Sequence, residues 1–162
     1  MIRPHDLLRS RPEGLFCPGG GFYIDPVRPV ERALITHGHA DHARAGHGSV
    51  LATRETLDIM RIRYGEGFAG AVQEAQLGET LNMNGVRVTF HPAGHVLGSA
   101  QISVETGGTR IVASGDYKRS RDPTCAPFEP IRCDVFITEA TFALPVFTHP
   151  DAAGEVARLL RS

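Results

Sequence analysis

The chain has 162 residues, a formal net charge of −1 and a pI near 6.7, so no overall basic field advertises a polyanion-binding protein. Its 41% hydrophobic, 22% charged composition has no low-complexity tract, which excludes a disordered or fibrous chain and fits one globular domain with a real core. No run approaches the ~18 apolar residues of a membrane span, and three cysteines without C-x-x-C spacing offer neither a disulfide framework nor a cysteine metal site.

The opening stretch MIRPHDLLRSRPEG lacks the apolar core of a secretion signal. With the cysteine usage, this points to a reduced, cytoplasmic protein. GLFCPGGGFYIDP reads as two short strands around a glycine-rich turn, with Asp25-Pro26 ending the second. No helix start or P-loop lysine follows the glycines, so they read as a turn rather than a phosphate cradle. RALIT is a short buried strand and SVLAT another. Thr53 then predicts the N-cap of a helix, RETLDIMRIRY, with Leu57, Met60 and Tyr64 on one face and Arg54, Arg61 and Arg63 in solvent.

From Thr80 the hydrophobic period becomes two. TLNM-NG-VRVTF carries the Asn84-Gly85 hairpin signal, with Val86, Val88 and Phe90 alternating. AQISVET-GG-TRIVAS repeats the device around Gly107-Gly108, and CDVFITEATF predicts one more buried strand. The last segment, with Val156, Leu159 and Leu160, reads as an amphipathic helix. Strand, loop and helix thus alternate, with polar clusters just after apolar strands: an α/β arrangement whose site is assembled from loops at strand ends.

Four clusters carry chemistry. His37, His39, Asp41 and His42 form H-x-H-x-D-H, imidazoles and a carboxylate of the kind that ligate zinc and similar divalent ions. On an extended loop His37 and His39 can converge on one ion, with Asp41 and His42 turned toward a second. In HPAGHVLGSAQ, His95 is a further ligand beside the turn-forming Gly94 and Gly98. In VASGDYKRS, Asp116 stands where a carboxylate can bridge two ions about 3.5–4 Å apart, and Lys118 and Arg119 follow as candidate phosphate contacts. In FITEATF, Glu139 ends an apolar strand beside the same set. His5, His47, His91 and His149 have no such context and read as ordinary structural or loop histidines.

THGHADH, AGHVLGSAQ, SGDYKR and ITEATF, in this order, resemble the metallo-β-lactamase fold, and more narrowly its β-CASP nuclease family. The wider text looks most like bacterial ligase-associated DNA exonucleases, which are also labelled mRNA 3′-end processing factors. The resemblance implies a four-layer αββα sandwich. It assigns His37, His39 and His95 to one Zn2+, Asp41 and His42 to another, with Asp116 between them and Glu139 as an acid beside the site; Mn2+ or Fe2+ also suits these donors. Asp41, Asp116 and Glu139 are then the catalytic acids. The substrate is DNA or RNA, and DNA ligase or helicase repair proteins are partners by resemblance.

Family members continue through an inserted β-CASP domain and the rest of the sandwich. Residues 1–162 are accordingly expected to be the N-terminal part of a metallo-β-lactamase domain, inactive alone. Uncovered strand edges would let such a piece pair with a second copy or another chain. A small-molecule hydrolase of glyoxalase or lactamase type, and an inactive metal-binding fragment, are the rival readings.

Overall fold

The computed structural model describes residues 2–147 and 150–161; His149 lies outside them. After a one-turn helix, α1 (Pro4–Leu7), come β1 (Arg9–Arg11), β2 (Gly14–Cys17), β3 (Phe22–Ile24), β4 (Arg32–Leu34) and β5 (His47–Ala52). Helix α2 (Arg54–Tyr64) leads to β6 (Ala69–Glu74), β7 (Thr80–Met83), β8 (Val86–Pro92), β9 (Ala100–Thr106), β10 (Thr109–Ala113), β11 (Val135–Ile137) and α3 (Ala152–Leu159).

The strands form two sheets, one of order β1-β2-β3-β4-β5-β6 and one of order β11-β10-β9-β8-β7. In the first, β1, β2 and β3 are antiparallel neighbours and β3 to β6 run parallel. The second is an antiparallel meander with β11 added parallel to β10. Period-two patterning sorts the side chains between layers. Leu34 and Leu51 face the space between the sheets and meet Phe22, Val88, Phe90, Ile102 and Val104. Their neighbours Ala33, Ile35, Val50 and Ala52 face the other way, onto Leu57 and Met60 of α2. Fully burying a side chain such as Phe22 or Phe90 contributes about 1.5–3 kcal/mol, so both faces of the first sheet are held by apolar contact.

Local chemistry follows the sequence closely. The Thr53 hydroxyl accepts from the Thr56 N–H as N-cap. Asn84 and Gly85 take φ of 54° and 85°, the two left-handed positions of a type I′ hairpin turn. Arg54 and Arg61 pair with Asp58 on the solvent side of α2. All three cysteines are free, and among the described residues no helix is long and apolar enough to cross a membrane.

Some expectations need correction. The strand in CDVFITEATF is not buried: β11 spans three residues and leaves Phe136 39% exposed, because it is an edge strand paired on one side only. Tyr64 does not share the burial of Leu57 and Met60; it is 38% exposed, and its hydroxyl donates to the Ala43 carbonyl at 2.9 Å. The strand at SVLAT begins at His47, two residues earlier, and β6 carried no pattern because its residues are largely exposed. Helix α3 forms where the amphipathic pattern predicts it, with Val156, Leu159 and Leu160 56%, 72% and 82% exposed.

Candidate metal centre

Three loops meet at the carboxyl ends of β3, β4 and β5 and beside the ends of β8 and β10. The first leaves β4 through Ile35 and Thr36, both buried, and then turns. The backbone N–H groups of His42 and Ala43 both donate to the His39 carbonyl, at 3.1 and 2.7 Å, which coils Asp41 and His42 back toward His37. The second loop carries His95. Its backbone N–H and that of Val96 donate to the Ser99 hydroxyl, each at 3.1 Å. The Gly98 carbonyl accepts from the Thr53 hydroxyl at 2.6 Å and from the Thr56 hydroxyl at 3.2 Å, pinning this loop to the start of α2.

The third loop follows β10. Gly115 stands at φ 54°, and a Cβ there would lie 2.6 Å from the Thr36 hydroxyl oxygen. Only glycine lets this chain pass so close to the His37 loop while aiming Asp116 into the cluster.

The side chains of His37, His39, His95 and Asp116 converge, their ligand atoms all within 4.8 Å of one another. His37 Nε2 is 3.1 Å from His39 Nδ1, and His95 Nε2 is 3.3 Å from the same atom. Metal–nitrogen bonds of about 2.0–2.1 Å in tetrahedral array set nitrogens about 3.3–3.4 Å apart, so the spacing is that of donors around one ion. Asp116 faces both halves of the cluster. Its Oδ2 is 3.8 Å from His37 Nε2 and 3.6 Å from His95 Nε2, while its Oδ1 is 3.5 Å from His42 Nε2. Asp41 Oδ2 is 3.6 Å from that same His42 atom.

Asp25, which the sequence marked only as a strand end, organises this arrangement. Its Oδ1 accepts from the Thr36 N–H at 2.8 Å, and its Oδ2 from the Thr36 hydroxyl at 2.6 Å. The same Oδ2 lies 2.8 Å from His42 Nδ1. A carboxylate can only accept, so His42 carries its proton on Nδ1 and turns the bare Nε2 toward Asp116. The Thr36 hydroxyl has given its single hydrogen to Asp25, so it can only accept from His37 Nδ1, 3.0 Å away. His37 is thereby fixed with Nε2 bare and pointing at the cluster. One carboxylate thus sets the tautomer of two imidazoles, the outer-layer arrangement that metal-ligating histidines favour. Asp25 itself is held at φ 44°, a left-handed conformation costing a non-glycine residue about 1–3 kcal/mol.

Electrostatics keep His37 and His95 neutral, the form that ligates, and favour the protonated form of His42. Burial, with the neighbouring His42, His39 and His95, pushes the His37 pKa down to about 2. Burial also lowers that of His95, against the pull of Asp116. For His42 burial acts downward, but the Asp25 hydrogen bond and the charges of Asp25, Asp116 and Asp41 outweigh it and raise the pKa. A polar pocket with buried His37 at its floor, exposed His39 at its rim and half-buried His95 and Asp116 between them offers imidazole nitrogens and a carboxylate to one point, which fits a divalent cation.

Beside Asp116 opens a cavity of about 320 Å³, walled by Leu15, Ile24, Val27 and Ile137 and reached by Asp41, His42 and Glu139. Glu139 is half-buried there, its carboxylate accepting from the Thr141 N–H at 2.8 Å. Lys118 and Arg119 are exposed, and the Lys118 ammonium turns to Asp122 at 3.2 Å rather than to the cluster. The other described histidines sit apart. His5 pairs with Asp6, His91 meets the Ser103 hydroxyl, and buried His47 accepts from the Val30 N–H.

A sequence model of the Metallo-beta-lactamase superfamily matches residues 24–161. The chain belongs to the metallo-β-lactamase superfamily. Within it, the chain is 33% identical over 141 residues to a probable DNA ligase of Opitutus terrae, matching 86% of this chain and 14% of that one. It is 30% identical over 145 residues to endoribonuclease YSH1 of Yarrowia lipolytica, covering 70% of this chain and 18% of that one. The Aspergillus fumigatus endoribonuclease ysh1 is 36% identical over 169 aligned positions, covering 82% and 19%. The chain therefore spans less than a fifth of the length of these relatives.

Proposed function

We propose that this metallo-β-lactamase chain is the metal-holding part of a β-CASP-type phosphodiesterase that hydrolyses DNA or RNA, with the β-CASP domain and the rest of the sandwich lying outside residues 1–162. The observation that carries the reading is the convergence of His37, His39, His95 and Asp116 within 4.8 Å. The nuclease names of the relatives support nucleic acid as substrate, and the name of the ligase relative supports a setting beside a DNA ligase; DNA-repair and helicase partners are proposed from the family resemblance. Three free cysteines suit a reducing, cytoplasmic compartment.

His37, His39 and His95 would hold one Zn2+, Asp41 and His42 a second, with an Asp116 oxygen toward each; Mn2+ or Fe2+ suits the same donors. Such cations supply Lewis acidity and a nucleophilic water near neutral pH. The chain's own contributions are positional. Thr36 and Asp25 keep His37 and His42 in the ligating tautomers. Asp41, whose side chain is 75% exposed, can take a proton from attacking water at the open side of the cluster. Glu139 holds the Thr141 backbone and closes the cavity wall. Lys118 and Arg119 are within the loop that carries Asp116 and would meet the substrate backbone.

The test is Asp116→Ala in the full-length protein, with metal content and digestion of 5′- and 3′-end-labelled DNA and RNA measured on one sample. Loss of metal together with loss of turnover is expected. Retention of both refutes the assignment. Hydrolysis of a chromogenic lactam or a thioester, with nucleic acid untouched, would assign the same centre to small molecules instead.

A further inference from the structure

The face of the first sheet turned away from the inter-sheet core carries an arginine–aromatic surface that the metal centre does not use. Phe16 of β2 lies across from Tyr23 of β3, their rings 4.6 Å apart and inclined by 34°. Over Phe16 stand the guanidinium groups of Arg11 and Arg9, at 4.9 and 5.9 Å from the ring centroid. Both arginines are exposed on the edge strand β1, and among the described residues neither has a carboxylate partner within ion-pair distance. The first eleven residues hold three arginines against one acid, Asp6, and Asp6 is taken by Arg3 at 2.9 Å. In a chain of net charge −1, this is a local cationic surface on an aromatic base.

It also adjoins the rim of the site's cavity, on the other face of the sheet from the cavity walls Leu15 and Ile24. Arg11 pairs with Gly14 across the β1–β2 ladder, and Gly14 lines the cavity shared with Asp41, His42 and Asp116. Phe16 is two residues further along β2, roughly 7 Å away. Aromatic rings that stack bases, flanked by guanidinium groups that meet phosphates, form the sequence-tolerant recognition surface of single-stranded nucleic acids.

We infer that the outer face of β1, β2 and β3 is a docking platform for a single-stranded stretch of the substrate, with Arg9 and Arg11 on its phosphates and Phe16 and Tyr23 against its bases. The inference rests on the phosphodiesterase reading and adds to it the course of the strand beyond the metal centre. A guanidinium 4.9 or 5.9 Å from the Phe16 centroid can keep its ring contact and still donate N–H groups to a phosphate, so the two contacts are compatible.

The experiment uses the full-length protein, kept in chelator so that no cleavage occurs, and fluorescein-labelled oligo(dT) and oligo(U) in an anisotropy titration at several salt concentrations. Two phosphate contacts contribute about 0.7 each to the single-strand salt slope. Arg9→Gln with Arg11→Gln should therefore flatten log K against log salt by about 1.4. Phe16→Leu, which keeps an apolar strand residue, should weaken binding about fivefold or more with the slope unchanged. With metal restored, the arginine pair should raise KM and leave kcat near the parent value.

An unchanged slope and affinity in these variants, or no binding by the parent protein, overturns the platform. Metal-dependent cleavage by the parent with unaltered slopes in the variants would overturn the platform alone and leave the phosphodiesterase reading standing. Absence of cleavage, with the slope change present, would remove the phosphodiesterase reading and leave a nucleic-acid docking surface.

Discussion

Asp25→Asn changes one oxygen to an amide nitrogen, with almost no change in shape, and should reverse the protonation of two imidazoles. If the amide nitrogen takes the Oδ2 position, it donates where Oδ2 accepted. His42 Nδ1, 2.8 Å away, must then become the acceptor, and its proton moves to Nε2, the atom facing Asp116. The Thr36 hydroxyl, 2.6 Å away, turns from donor to acceptor and gives its own hydrogen to His37 Nδ1, which drives the His37 proton onto Nε2 as well. If the amide is flipped, its N–H2 opposes the Thr36 backbone N–H at the 2.8 Å contact, a donor against a donor. The flipped orientation leaves a buried donor unsatisfied, at about 1–3 kcal/mol, whereas the first satisfies these contacts only by putting protons on the two Nε2 atoms that face the cluster. Outer-layer substitutions of this kind cost roughly 10–100-fold in metal affinity, equivalent to about 1.4–2.7 kcal/mol. A competition titration against a chelator would measure it, with circular dichroism confirming the fold and 15N shifts of the ring nitrogens reporting the tautomers. An Asp25→Asn variant binding metal as tightly as the parent, with Nε2 of His37 and His42 still bare, would refute the relay.

Other consequences follow from the same contacts. Thr53→Ala removes the α2 N-cap and the 2.6 Å bond to the Gly98 carbonyl; a loss of about 1–2 kcal/mol in urea unfolding is expected. Phe90→Ala empties a fully buried position between the sheets and should cost about 3–5 kcal/mol in the same assay. Gly115→Ala puts a methyl group 2.6 Å from the Thr36 hydroxyl at a left-handed φ of 54°, so it should lose about 1 kcal/mol or more of stability and weaken metal binding in the chelator titration. Burial lowers the pKa of His47, and also that of His91, from the ordinary 6.5. Below pH 6.5 the unfolded chain therefore binds protons that the fold refuses, and the urea midpoint should fall as pH drops from 6.5 toward 5, while staying level on their account above about 7. His47→Gln should flatten part of that fall.

Where an element's own residues dictate its state, the sequence sufficed. Thr53 caps α2, and the rigid period of Val86, Val88 and Phe90 around Asn84-Gly85 makes a hairpin without tertiary help. Strands β1 and β6 have no signal in the sequence and β11 a misleading one, for a common reason: all three lie at sheet edges. β6 has five of its six residues exposed and no apolar alternation, so only pairing with β5 makes it a strand. β11 is apolar in sequence yet uncovered on one side, and burial of an apolar run depends on neighbours that its own residues do not name.

The site divides in the same way. H-x-H-x-D-H is legible because a dense set of imidazoles has few uses besides a cation, and His95 and Asp116 gain meaning from standing after strands as that motif does. Asp25 has no such signature, since an aspartate before proline is ordinary turn chemistry. Its importance comes from register. β3 and β4 run parallel with Ile24 opposite Leu34, and the Asp25 N–H donates to the Leu34 carbonyl at 2.9 Å. The next residue on each strand therefore arrives together, and the left-handed turn at Asp25 swings its carboxylate over Thr36 and His42. A slip of one residue would send Asp25 to the opposite face, leaving the histidines in place with their tautomers unset. The motif supplies the donors, and the pairing of two three-residue strands decides which nitrogen of each donor is available.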